Sequence, residues 1–408
     1  MCRKLSLLSC SLGLMFFLVP PAQADFSSAA KNLSNSALTS KCPKVCSIPT
    51  SGSVFVVWVE TDGDNDQLMF TQSTNAGATW TTPVAILGAG QLLNRVDPID
   101  EQADSYTFSF VVDDPYIHIV TQWRENSSDD YEIYYLRSPD LGETWEAMLP
   151  LTNNSTDSRF PDVAVRGEYV HVTYQDSWPG NEEILYKRIP GYGAGAVEMT
   201  RRLTFSSANT WAPRIAVSSS GEHVNIVYME ECADGAMNIF YKHIDNYGAG
   251  SYQSWQLTFG ADPIYNGLPD ITAGAGTRDE YIYIVYQSNF PGNYDIIYKR
   301  LSNYGVGPFV TSTCRLSYSA TDSLAPSIDF DTGYGNLHIT YHDSWPGNND
   351  IMHKLAGTIS IWGGATERVS WGTGNSAYSA VAASGSWANI VWSDNSSGNY
   401  EILFKYGY

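Results

Sequence analysis

His342 and Asp343 stand next to each other where an apolar run gives way to a polar turn. An imidazole beside a carboxylate can carry a proton. The other reading of the histidines is structural, because His118, His171, His223 and His338 fall at two recurring positions of similar segments. Asp343 opens the stretch Asp-Ser-Trp-Pro-Gly-Asn, which also occurs from Asp176 to Asn181 and has a relative, Ser-Asn-Phe-Pro-Gly-Asn, from Ser288 to Asn293. Rings at Trp178, Phe290 and Trp345 can stack on the C–H faces of sugars. Asp176, Asn181, Asn293 and Asn348 can bond the hydroxyls. Alternatively, each ring packs sideways on a neighbouring unit and Pro-Gly merely turns the chain. A third cluster, Asp62, Asp64 and Asp66, has the alternating carboxylates that can wrap Ca²⁺. Gln67 stands where an EF-hand loop has glycine, and no glutamate occupies the twelfth position, so solvated loop carboxylates compete with that account. Calcium is the one cofactor for which the sequence offers ligands.

These groups must be held by strands. Tyr (27), Trp (12) and Gly (34) are plentiful, charged residues make up 16% of the 408 residues, and no long amphipathic helical pattern with caps appears. Such a composition predicts an all-β chain. One pattern recurs along it: an apolar strand ending in an aromatic, usually with an acid two residues on, then a polar turn, then acid-Ile-x-aromatic-Lys. The aromatic anchors are Trp58, Trp123, Tyr174, Tyr228, Tyr286, Tyr341 and Trp392, and acids follow at Glu60, Glu125, Asp176, Glu230, Asp343 and Asp394. That regularity argues for turn capping by the acids more than for chemistry. Seven copies at a period of about fifty residues predict a seven-bladed β-propeller of four-stranded antiparallel blades. In the fourth copy, WAPRIAVS, HVNIVYM, NIFYKHI and SWQLT read as strands A to D. Both faces of the second are apolar, as sheets stacked on both sides require. Most copies end in a Leu-Thr-like pair (Leu151-Thr152, Leu203-Thr204, Leu257-Thr258, Leu316-Ser317, Val369-Ser370), the last does not, and Leu33-Ser34 precedes the first. The N-terminal segment is therefore expected to complete the seventh blade and remove an open edge.

Between strands C and D, the first two copies carry Ser73-Thr-Asn-Ala-Gly-Ala-Thr-Trp80 and Ser138-Pro-Asp-Leu-Gly-Glu-Thr-Trp145. In these turns an acid or amide caps the chain and glycine takes the left-handed position. Copies three to five carry GYGAG, NYGAG and NYGVG at the same place. The second turn matches Ser-x-Asp-x-Gly-x-Thr-Trp and the first does so with Asn75 in place of Asp, and on them the chain resembles the sialidase-like Asp-box (BNR) propellers. The resemblance implies a carbohydrate-active fold whose Asp boxes lie away from the ligand face. Family sialidases have six blades and an Arg-Ile-Pro motif, grip a carboxylate with three arginines, and use a tyrosine nucleophile with a glutamate partner and an aspartate acid/base. Here the count is seven, and the nearest Arg-x-Pro is Arg159-Phe160-Pro161. Seven-bladed propellers also include polysaccharide lyases that use His, Tyr and Arg on a uronate. The reading is a glycan-recognising propeller whose loop face surrounds the central channel. The alternatives are a glycosidase or lyase acting at that face and a purely structural module.

Arg3 and Lys4, an apolar run from Leu5 to Val19 and Ala22-Gln23-Ala24 read as a secretory leader over residues 1–24, leaving residues 25–408 as one exported domain. The apolar run is too short to span a bilayer. A formal net charge of -20 disfavours nucleic acid and anionic lipid, so the expected partner is carbohydrate. Cys2 and Cys10 fall in the leader. Cys42, Cys46, Cys232 and Cys314 allow three disulfide pairings, between which the sequence does not choose, or none.

Overall fold

A computed structural model describes residue 26 and residues 28–62, 66–87, 107–124, 129–261, 264–275, 281–290, 292–306, 310–345, 347–357, 366–384 and 387–407. Residues 1–24, expected to be a leader, and Asp64 and Glu125 lie outside the described residues. The described chain forms seven four-stranded antiparallel sheets, each contributing one inner strand to a closed ring. The inner strands are Thr39–Ile48, Phe108–Asp113, Ser158–Arg166, Thr210–Val217, Asn266–Ala273, Ser323–Phe330 and Ser376–Ser384, numbered here as blades one to seven.

Period-two alternation becomes blade stacking. In the second strand of blade four, Val224, Ile226 and Tyr228 face blade three, whereas Val227 and Met229 face blade five. Seven apolar clusters result, one at each junction between blades, including the junction of blade seven with blade one, where Trp58, Val391 and Phe404 meet. Each buried branched or aromatic side chain contributes roughly 1.5–3 kcal/mol, so the stability of the ring is distributed over its junctions.

The outermost strand of blade seven is Lys31–Asn32, which pairs antiparallel with Leu403 and Phe404. Leu33 N–H donates to Ile402 O at 2.8 Å, and Ser34 Oγ accepts from Ile402 N at 2.8 Å. The Leu-Thr-like pairs of other blades make the same two bonds. Leu203 N–H donates to Ile184 O and Thr204 Oγ1 accepts from Ile184 N, each at 2.8 Å.

Blade two departs from the sequence reading. Its Gln122 pairs with Ile133, as Gln175 pairs with Ile184 in blade three, so the residue equivalent to Tyr174 is Thr121 and Trp123 takes the place of the exit acid. The aromatic was the conspicuous residue, but backbone pairing sets the register. The four described cysteines are free thiols. Burial pushes the Cys46 thiol up to about 12 and the Cys314 thiol up to about 11.

The turns between strands C and D of blades one to five dock their blades on the one before. In the first, Gly77 N–H donates to Ser73 Oγ at 2.9 Å and Thr79 N–H to Asn75 Oδ1 at 2.8 Å, while the Trp80 ring meets Phe404 edge-on at 4.9 Å. In the second, Asp140 accepts from Thr144 N (2.8 Å) and Thr144 Oγ1 (2.6 Å), and Trp145 meets Phe70. These bonds hold the Asp140 carboxyl below its ordinary range.

Candidate functional site

The turns between strands B and C share one end of the ring with the loops that lead into the next blade. Asn181 Nδ2 donates to Ala208 O at 2.7 Å, Asn293 to Thr321 O at 2.7 Å, Asn348 to Gly374 O at 2.5 Å and Asn399 to Leu38 O at 2.6 Å. The asparagine amides expected to bond hydroxyls are therefore occupied in bracing these loops.

The acids opening the same turns cap them. Asp176 accepts from Trp178 N at 2.7 Å, Asn154 Nδ2 at 2.9 Å and Ser158 Oγ at 2.9 Å. Asp343 accepts from Trp345 N at 2.8 Å, Thr321 Oγ1 at 2.9 Å, Ser319 Oγ at 3.1 Å and Ser323 Oγ at 2.7 Å. With both oxygens engaged and the side chain buried, Asp343 is built as the cap of its turn. Asp343→Ala would strand these donors and is expected to lower unfolding free energy by about 3 kcal/mol in urea denaturation, with Asp343→Asn losing clearly less.

His342 points the other way from the strand. It is buried, its Nδ1 has no hydrogen-bond partner, its ring meets Tyr378 edge-on, and burial brings its pKa down to about 4 against the opposing pull of Asp343. Adjacent strand residues face opposite sides, so the two residues do not work on one another. Arg159 lies three blades away. Its Nη2 pairs with Asp157 at 2.7 Å, and its guanidinium and that of Arg124 lie 4.6 and 4.5 Å from the centre of the buried Tyr131 ring. The structure does not gather Arg159, His342 and Asp343 into one constellation. Of the calcium candidates, Asp62 follows the second strand of blade one, Asp66 begins the third and is buried, and Asp64 lies outside the described residues.

The aromatic tips stand open. Trp178, Phe290 and Trp345 are 65%, 63% and 59% exposed. They sit on blades three, five and six, and so form separate platforms along the rim. Beside them is a second set that the sequence reading missed. Phe205, Tyr318 and Trp371 follow the Leu-Thr-like pairs directly, and each carries the guanidinium of the arginine three residues before it. Arg202 lies 4.6 Å from the Phe205 ring centre, Arg315 4.8 Å from Tyr318 and Arg368 4.5 Å from Trp371. The arginines are held in turn by Glu183 (2.8 Å), Asp295 (2.6 Å) and Asp350 (2.5 Å). The signal was legible as Arg-[Leu/Val]-[Thr/Ser]-aromatic. At the junction of blades five and six, Tyr318, Trp345 and Trp371 line one groove of about 650 Å³ with Arg368, Lys354 and Asp343. Tyr318 and Trp371 are each 69% exposed.

The central channel is a second cavity, of about 420 Å³. The residue after the proline of several inner strands points into it: Lys44, Asp162, Arg214 and Asp270. Asp162 Oδ2 accepts from Ile215 N at 2.8 Å, Asp270 Oδ2 from Ile328 N at 2.9 Å and Asp329 Oδ2 from Ala383 N at 2.8 Å, so these acids stitch the inner strands of blades three, five and six to the next. Desolvation pushes Asp329 up to about 6 and brings Lys44 down to about 8.

The architecture is that of a seven-bladed β-propeller. An ulvan lyase, described as a new family of polysaccharide lyase (PL25) and bound to -[GlcA(1-4)Rha3S]-, superposes with a TM-score of 0.64 at 9% identity, over 92% of this chain and 95% of that one. The GH93 α-L-arabinofuranosidase of Fusarium graminearum in complex with arabinobiose gives 0.54 at 12% identity, over 82% and 98%. A Dyadobacter fermentans protein of unknown function gives 0.52 at 9%, over 93% and 98%. At these identities the likeness is one of fold. No protein-family model and no curated protein matches the chain by sequence.

Proposed function

We propose that this propeller is an exported glycan-binding protein that holds polysaccharide in the groove between blades five and six, with Trp178 and Phe290 as further platforms on the same rim. The observation that carries the reading is the trio Tyr318, Trp345 and Trp371: three large rings left open to water along one groove. Water-exposed aromatics gathered in this way mark an interaction surface. Arg315 and Arg368 hold two of the rings, and the Trp345 backbone is tied to Asp343, so little side-chain freedom is lost on binding. Arg368 and Lys354 are matched by Asp343 and Asp350 around the groove, which suits recognition through C–H faces more than through sugar charge. The fold likeness to proteins whose structures hold arabinobiose and a uronate-containing saccharide supports the carbohydrate reading.

The test is affinity electrophoresis against a panel of neutral and acidic polysaccharides. A retarding polysaccharide is expected, with Trp345→Ala and Trp371→Ala each weakening retardation about 10-fold at unchanged melting temperature. No retardation by any member, or full retardation of both variants, would reject the groove. A second reading, catalysis at the same face, is favoured by the contact of buried His342 with Tyr378, a residue that lines the central channel. It requires release of reducing or unsaturated sugar that disappears in His342→Ala.

A further inference from the structure

Blade four breaks the repeat at the end of the ring opposite the glycan groove. In blades two, three and five, the first residue of strand B or its neighbour is a tyrosine, and an arginine on strand C covers its ring: Arg137 lies 4.5 Å from the Tyr116 centre, Arg188 4.3 Å from Tyr169 and Arg300 4.9 Å from Tyr281. Pairing fixes the equivalent positions, since His118 faces Arg137, His171 faces Arg188, Asn225 faces His243 and Tyr283 faces Arg300. In blade four the arginine is thus His243, and the tyrosine, two residues before Asn225, is His223. Two residues after the arginine those three blades have Pro139, Pro190 and Ser302, whereas blade four has Asp245. Three substitutions that each introduce a metal ligand coincide in one blade. The stacking role survives them, because His223 lies on Tyr304 of the next blade at 4.7 Å, as Tyr116 lies on Tyr192 at 5.4 Å.

We propose that His223, His243 and Asp245 form a binding site for a divalent transition-metal ion such as zinc. One ligand atom from each lies within 4.8 Å of the others. Asp245 Oδ1 is 2.7 Å from His243 Nε2 and 3.3 Å from His223 Nδ1. Bonds of about 2.0–2.1 Å in a tetrahedral site put ligand atoms roughly 3.3 Å apart, so small side-chain shifts would complete the geometry. The second layer is in place. Asn225 Oδ1 lies 3.1 Å from His243 Nδ1 and also accepts from the Tyr241 hydroxyl. An amide oxygen there selects the tautomer with hydrogen on Nδ1, which turns the lone pair of Nε2 toward the Asp245 carboxylate. Two acceptors facing each other at 2.7 Å call for a proton or a cation between them, and a metal ion would fill that place. Two histidines and one carboxylate leave a fourth position open for water or an anionic group.

The purified full chain, stripped with a chelator, is to be titrated with zinc chloride by calorimetry. One equivalent is expected to bind, and Asp245→Asn is expected to weaken uptake by about 100-fold or more. The double variant His223→Tyr, His243→Arg rebuilds the pair found in blades two, three and five, so it should fold and melt like the parent while binding no zinc at this site. His171→Asn, at the position of Asn225 one blade earlier, should leave uptake unchanged. Absence of saturable zinc binding by the parent, or undiminished binding by the Asn and Tyr/Arg variants, overturns the proposal.

Discussion

Acidification from pH 7 to 5 is expected to remove most of the stability of this protein. His118 and His171 are held down at about 3, and His338 and His342 at about 4, chiefly because burial disfavours the imidazolium. In the unfolded chain all four protonate near 6.5. Below that pH the unfolded state binds more protons than the folded one, so stability falls as pH falls, by about 1.4 kcal/mol per unit and per group until each folded-state value is reached. Asp329, raised to about 6, works in the opposite sense, since its folded form gains a proton first as the pH drops. It offsets about one histidine below pH 6. The net loss at pH 5 is on the order of 7 kcal/mol, comparable with the roughly 5–15 kcal/mol that a folded domain has in all. Circular dichroism against pH should show cooperative loss of structure with a midpoint near about 5. His171→Asn copies the residue of blade four, keeps an acceptor for the Tyr186 hydroxyl, and should move the midpoint to lower pH. A melting temperature unchanged at pH 4.5 would show that the histidines are not confined as described.

The second large effect belongs to the glycines of the GYGAG and NYGAG turns. A Cβ on Gly248 would sit 1.9 Å from the Tyr186 hydroxyl and 3.4 Å from His171 Nδ1, and one on Gly193 would sit 1.9 Å from the Tyr135 hydroxyl. Neither hydroxyl can retreat freely, because Tyr186 is bonded to His171 at 2.7 Å and Tyr135 to His118 at 2.6 Å, all buried. Both glycines also have left-handed backbones, with φ of 79° and 80°. Gly248→Ala and Gly193→Ala therefore combine overlap with backbone strain, and each is expected to lower stability by about 3–4 kcal/mol. Gly167→Ala separates the two causes. It has φ of 63° and nothing within 4 Å of its would-be Cβ, so it should lose only about 1 kcal/mol. Urea denaturation of the three variants decides the matter, and equal losses would show that these turns do not dock on the preceding blade.

The repeat was legible because each copy must solve the same problem of covering two faces of a sheet. Alternating apolar residues in HVNIVYM, the Leu-Thr-like pairs and the glycine turns all have local patterns that physics imposes on every blade. The Arg-x-x-aromatic steps at Arg202, Arg315 and Arg368 were equally visible in type, but what makes them a surface is that the rings stay uncovered, and burial is a property of neighbours. Trp123 misled as an anchor because ring size is conspicuous in sequence while register is decided by Gln122 meeting Ile133.

Taken alone, the amino-acid order determined the blade count, the fold class and which turns carry aromatics, since these follow from periodicity within about fifty residues. Only the tertiary structure decided the tasks of individual polar groups. Asn181, Asn348, Asp176 and Asp343 brace turns because a hydrogen bond is complete only when its partner arrives from another loop. Tyr318, Trp345 and Trp371 share a groove because blades five and six meet at an angle that no single repeat contains.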